Sequence, residues 1–164
     1  LAGARSASNP TARSLRVAGV GVLSSLLIWH AAAALSIHPY HLAYFNEAAG
    51  GPSEGWRRLV DSNLDWGQDL VGLRRFLTDH GQNRVNLYYF GTADPAALGI
   101  ERAVPPEPGW FAISATHLAG VYLPDPDYLA PFRSMRPDAH VGHSILLYQL
   151  DTVPPFLNNP PRKR

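Results

Sequence analysis

Residues 59–77 read LVDSNLDWGQDLVGLRRFL, and the way this stretch divides sets the expected fold. It opens with an apolar pair, breaks into a cluster of Asp, Ser, Asn, Trp, Gly and Gln, and resumes with Leu70, Leu73 and Leu77 at helical spacing. The pattern predicts a strand, a polar turn and a helix. Ser62 and Asp65 stand at the spacing of a capping box, which puts a carboxylate where first-turn N–H groups and the helix dipole favour it. At the other end Gly81 suits a left-handed C′ position after Arg74, Arg75 and His80. A helix starting beyond the carboxyl end of a strand is where open α/β sheets usually place ligands. Asp61, Asn63, Asp65, Trp66, Gln68 and Asp69 crowd together there. A cap needs one or two such residues, so these six are candidates for a binding or interface surface.

Further along, residues 84–90 (RVNLYYF) and 109–116 (GWFAISAT) are rich in β-formers, and a final pair of strands is expected around 140–141 and 144–150. Gly91, Thr92 and Asp94 form a polar turn after the first of these runs and join the candidate surface. Asp94 also suits the cap of a helical turn over 95–98. The two polar turns should lie side by side at the carboxyl ends of adjacent parallel strands, exposed, with Asp61, Asn63 and Gln68 holding backbone groups of residues 90–94. The expected core is Leu59, Val60, Leu70, Leu73, Leu77, Val85, Leu87, Tyr89, Ile113, Leu146 and Tyr148. The fold class is α/β: a transmembrane helix, then a small mixed, mostly parallel α/β domain.

The net charge of +1 conceals an asymmetry: residues 1–38 carry Arg5, Arg13 and Arg16 and no acid, while the remainder carries eleven basic against thirteen acidic residues. The folded part is slightly acidic and offers no electrostatic case for nucleic acid. Without cysteine there are no disulfides or thiolate metal sites. Residues 17–37 carry no Asp, Glu, Lys or Arg, and at about 1.5 Å per residue they can cross a hydrocarbon core of roughly 30 Å. Arg on the N-terminal side predicts that end inside and everything after Ile37 outside. A signal peptide and a buried soluble helix are the competing readings, disfavoured by the length of the run and its lack of a polar face. The chain opens with Leu, which is expected of a fragment or a cut product. The segments expected are a disordered cytoplasmic-side stretch over 1–14, a transmembrane helix over 15–38, an interfacial segment and turn over 39–55, an extracytoplasmic α/β domain over 56–151, and a disordered tail over 152–164. Tyr40, Tyr44 and Phe45 suit the bilayer interface, and so does the His38/His41 pair, which lacks a third metal ligand.

Asp61-x-Asn63-x-Asp65 has the opening spacing of a calcium loop, but Trp66 and Gly72 stand where that loop needs Gly and Glu. An irregular divalent-cation site on these three residues stays open, as does a purely structural turn. There is no phosphate loop, no dinucleotide fingerprint and no nucleophile elbow.

DSNLDWGQDL, with HPYHLAYFNEAAGGP (38–52), YFGTADPAALGI (89–100), PGWFAISATHLAGVY (108–122) and GHSILLYQL (142–150), resembles the C-terminal part of bacterial family 39, protein-mannosyltransferase-like membrane glycosyltransferases. The five blocks stand in order with compatible spacing. The resemblance implies a last span in the cell (inner) membrane followed by a small extracytoplasmic domain. It also implies sugar transfer from a polyprenyl-phosphate donor to a lipid, glycan or protein acceptor. The family's catalytic carboxylate lies in an early external loop of the membrane module, outside this chain, so no catalytic residue and no cofactor is carried over. The implied partners are the lipid bilayer, the upstream transmembrane catalytic module and a lipid-linked sugar or acceptor. The reading from a different class is a membrane-anchored α/β binding or structural domain without catalysis.

Overall fold

The structure, a computed structural model, describes residues 10–158. The outer parts of both expected disordered ends, 1–9 and 159–164, lie outside the described residues. The chain divides into two compact units, Leu1–Pro39 and Tyr40–Arg164.

The first unit is helix α1 (Pro10–Ser36), which begins on a proline whose missing N–H costs nothing in a first turn. It therefore starts inside the stretch expected to be disordered. Thr11–Ser36 is long and apolar enough to span a membrane. Its apolar side chains are exposed all round, from Leu15 and Val17 to Trp29 and Leu35. The Ser25 and Ser36 hydroxyls donate back to the Gly21 and Ala33 carbonyls, at 3.0 and 2.8 Å, and so stay satisfied within the helix.

The second unit is built on a five-stranded mixed sheet. Its elements are α2 (Leu70–Asp79), β1 (Arg84–Tyr88), β2 (Glu101–Arg102), β3 (Gly109–Ser114), α3 (Ala115–Leu118), α4 (Ala130–Arg133), β4 (Ala139–Val141) and β5 (Ile145–Leu150). The strand order is β2-β1-β3-β5-β4. β1 pairs in parallel with β2 and β3, whereas β3–β5 and β4–β5 are antiparallel, so the sheet is evenly mixed rather than mostly parallel. Side chains alternate across the pleat, and here both faces are covered. Leu70, Leu73 and Leu77 of α2 pack with Val85, Leu87, Trp110, Ala112, Ile145 and Leu147 on one face. On the other, Phe111, Ile113, Leu146 and Tyr148 pack with Leu64, Leu118, Leu129, Phe132 and Leu157. Strands buried on both faces read as nearly continuous apolar runs, as IAF-rich β3 and ILLYQL do.

The expected first strand does not form. Leu59 is 52% exposed, Val60 is half-buried, and Asp61 takes the left-handed conformation (φ 59°), which breaks an extended chain into a short 3-10 turn over Asp61–Asn63. The capping box fails too. Asp65 accepts the Gly67 N–H instead, a local turn bond that competes with helix, and α2 starts only at Leu70. With no strand ahead of it, α2 leads directly into β1 and takes no part in a strand–helix–strand crossover. The other expected core residues are buried except Tyr89, which is half-buried. In the 39–55 segment Ala43 is buried, and Trp56 just after it, both in the core of this unit. The expected disordered tail includes an ordered turn, Pro155–Asn158, that buries Leu157.

Candidate functional site

β1 and β3 run parallel, and β5, antiparallel to β3, starts where β3 ends: Ser114 lies opposite Ile145. One end of the sheet therefore gathers the residues after β1, those after β3 and those before β5. The segment 61–69 lies against this end and is tied to each of them. Asp69 Oδ2 accepts the His143 and Ser144 N–H groups, both at 3.1 Å, and the Ser144 hydroxyl at 2.9 Å. The Asp61 N–H donates to Thr116 Oγ1 at 3.1 Å. The Tyr89 hydroxyl donates to the Gly67 carbonyl at 3.3 Å, and the Phe90 N–H to Ser114 Oγ at 3.0 Å. Gly67 and Gly91 are in contact. A Cβ on Gly91 would sit 3.0 Å from Gly67 Cα, one on Gly67 would sit 2.9 Å from the Phe90 carbonyl oxygen, and either would strike the Tyr89 hydroxyl. Both glycines also have positive φ (79° and 147°), so no other residue fits.

The two polar turns thus lie side by side, but by other bonds than expected. Asp61, Asn63 and Gln68 do not hold residues 90–94. Gln68 closes its own turn, taking the Trp66 N–H at 2.8 Å and donating to the Leu64 carbonyl at 3.0 Å, and Asn63 is simply exposed. Gly91, Thr92 and Asp94 are exposed, and Asp94 caps the turn Pro95–Leu98 through the Ala96 N–H at 3.0 Å. Nor is the cluster uniformly a surface, because Asp65 and Asp69 are buried. They are short acids within a segment whose neighbours Leu64 and Leu70 enter the core on either side.

Asp65 is fully buried. Oδ1 takes the Gly67 N–H at 2.9 Å, while Oδ2 makes no hydrogen bond of normal geometry among the described residues. Burial pushes this carboxyl up, and the nearby Asp69 charge adds to the rise. The Gly67 N–H and the Thr116 and Ser114 hydroxyls, close enough to favour the charged form, oppose it. Burial likewise pushes His117 down, and its Nδ1 is buried with no hydrogen-bond partner among the described residues. His143, edge-on to the Tyr40 ring at 5.5 Å, is also lowered by burial, with Asp69 opposing.

The rim outside this buried layer is aromatic. The Tyr122 hydroxyl donates to Asp61 Oδ2 at 2.8 Å, and that bond raises the Tyr122 phenol. The Tyr122 ring stacks on Phe90, 5.4 Å between centroids and 7° between planes. Trp66, a candidate for the binding or interface surface, is 62% exposed, with Nε1 donating to the Ser62 carbonyl at 3.3 Å. Sequence reasoning did not single out Tyr122, Phe90 and Ser144: each lies within one of the quoted blocks, but only the tertiary fold brings it to the turn.

Ser114, Thr116 and Ser144 spend their hydroxyls on backbone groups and on Asp69. Such an arrangement holds a surface rigid; it does not pair a nucleophile with a base. The Asp61 and Asp65 carboxylates take separate partners, and no group of three or more His, Asp or Glu placed to hold a metal occurs among the described residues. No family model, curated protein or solved structure matches the chain.

Proposed function

We propose that this chain is the C-terminal end of a membrane glycosyltransferase that takes sugar from a polyprenyl-phosphate donor. In this reading α1 is its last span, residues 1–14 are cytoplasmic, and the α/β unit lies outside the cell (inner) membrane. The unit contributes no catalytic group; it flanks the active site of the upstream module and shapes the entrance for a lipid, glycan or protein acceptor. The observation that supports this reading is convergence. All five blocks that carry the family resemblance meet at one end of the sheet: Tyr40 against His143, Asp69 on Ser144, Asp61 on Thr116 and Tyr122, and Tyr89 on Gly67. Segments far apart in sequence that share one polar surface are what a common contact surface requires. The span length and the three N-terminal Arg support the orientation.

The test is the reading frame upstream of Leu1. Further apolar runs of about 20 residues each, with an acidic residue in the first external loop, support the transferase. A start codon directly before Leu1 contradicts it and leaves the second reading, a membrane-anchored binding domain, which the commitment of the Ser114, Thr116 and Ser144 hydroxyls to structure also favours.

A further inference from the structure

We infer that Trp66, Asp61 and the Phe90–Tyr122 stack form a subsite for one neutral sugar ring. The inference rests on the glycosyltransferase reading and names the substrate contact of that surface: the glycan end of an acceptor, or of a lipid-linked donor.

Two large rings are left in water at this rim, Trp66 at 62% and Tyr122 at 67% exposure. Neither hangs loose. Trp66 is held at Nε1 by the Ser62 carbonyl and at its backbone N–H by Gln68, and Tyr122 is held by the Phe90 ring and by Asp61. Both rings are thus tethered to adjacent residues of one turn, with their polar edges satisfied and their apolar faces bare except for the Tyr122 face that Phe90 covers. Bare aromatic faces suit C–H groups, and a pyranose or furanose ring presents C–H groups on its faces and hydroxyls around its edge. Hydroxyls need acceptors, and the turn supplies them. Asp61 uses only Oδ2 for Tyr122 among the described residues, which leaves Oδ1, and the neighbouring Asn63 amide is exposed.

The charge selects against other occupants. The surface acid is Asp61, with Asp65 and Asp69 buried behind it, and among the described residues no Arg or Lys donates a hydrogen bond within 61–69. A phosphate or an anionic headgroup would meet like charge, and a purely apolar partner would strip water from Asp61 without replacing it. The geometry is also strained: Asp61 (φ 59°) and Tyr122 (φ 61°) are the non-glycine residues of positive φ among those described, and they bond each other. Such strain persists where a surface is held for use, and a bulky Tyr in this region is unusual.

The experiment uses the full chain in phosphatidylcholine nanodiscs, with Trp29→Phe so that Trp66 is the exposed indole and Trp56 and Trp110 stay buried. The probes are methyl α-mannopyranoside, methyl β-glucopyranoside, methyl α-arabinofuranoside and N-acetylglucosamine. Binding is read by protection of Trp66 from acrylamide and by saturation-transfer NMR. At least one glycoside should protect Trp66 saturably at millimolar concentration. Asp61→Asn and Tyr122→Phe, with unchanged melting, should weaken that binding about tenfold. Two results overturn the inference: no glycoside gives protection or transfer, or brominated lipid chains quench Trp66 as strongly as they quench Trp29 in the unsubstituted chain, which would make the rim a bilayer contact. Sugar binding is read without any transferase reaction, so its failure leaves the family reading to the upstream frame, and a start codon before Leu1 sinks that reading even where sugar binds.

Discussion

Asp69 Oδ2 accepts both the hydroxyl and the N–H of Ser144, at 2.9 and 3.1 Å, and so ties the start of α2 to the start of β5 across 75 residues of chain. With the His143 N–H on the same oxygen, one buried carboxylate satisfies three donors.

Asp69→Ala should therefore be among the most damaging single changes in the second unit. It leaves buried N–H groups unpaired, at about 1–3 kcal/mol each, and a total loss of about 3 kcal/mol is expected. Urea unfolding followed by tryptophan fluorescence measures it. A shift below about 1 kcal/mol would mean that solvent already satisfies these donors.

Asp65 carries the opposite expectation. Its folded-state pKa is raised by burial, so the folded chain holds this proton more tightly than the unfolded one. Stability from this group falls as pH rises from about 3.8 through the folded value, and the cost is complete above it. Asp65→Asn should be neutral or stabilising at pH 7 and should flatten that slope, since the amide keeps an acceptor for the Gly67 N–H. Unfolding midpoints at acid and neutral pH check this; a destabilised variant at neutral pH would show that the charged carboxylate is needed.

For His117 the sign reverses. Burial lowers it, so its contribution is fully present above about 6.5, the ordinary histidine value, and is lost as pH falls below that through the folded value. Carbon-bound imidazole resonances in a proton NMR titration should show His117 titrating below 6.5, with His140 and His143 lowered in the same direction. A His117 midpoint at or above 6.5 would place that ring in solvent.

The contact between the two turns predicts a coupled pair. Gly67→Ala drives a methyl into the Tyr89 hydroxyl and the Phe90 carbonyl and should cost about 2 kcal/mol or more. Adding Tyr89→Phe removes the nearest obstacle, the hydroxyl, and leaves the ring carbon and the Phe90 carbonyl, so it should return part of that loss, whereas strictly additive effects would mean that the turns do not touch.

Much of the framework was legible because burial on both faces writes strands as apolar runs: residues 84–90, 109–116 and 144–150 each contain the strand expected of them, and Leu70, Leu73 and Leu77 mark the buried side of α2. Leu59–Val60 misled because two apolar residues do not make a strand when the next residue is left-handed, and no local signal announces φ 59° at Asp61. Glu101–Arg102 is too short and too polar to be seen as an edge strand. The candidate turn was legible as a polar cluster with too many functional groups for a cap, but not the division of labour within it. Asp65 and Asp69 go inward because Ser114, Thr116 and Ser144 wait there, and Asp61 and Trp66 face outward; both facts depend on strands that lie far away in sequence.

The central claim is that the rim of Asp61, Trp66 and Tyr122 serves sugar transfer by a larger membrane enzyme. Its most direct test is transfer of labelled sugar from polyprenyl phosphate by membranes carrying the full reading frame with Asp61→Asn or Trp66→Ala, against Arg84→Ala on the far side of the sheet as a control. The expected result is a fall of about tenfold or more in kcat/KM for the two rim variants, at unchanged protein level and melting, with the control unaffected. Full transfer by both rim variants would contradict the claim.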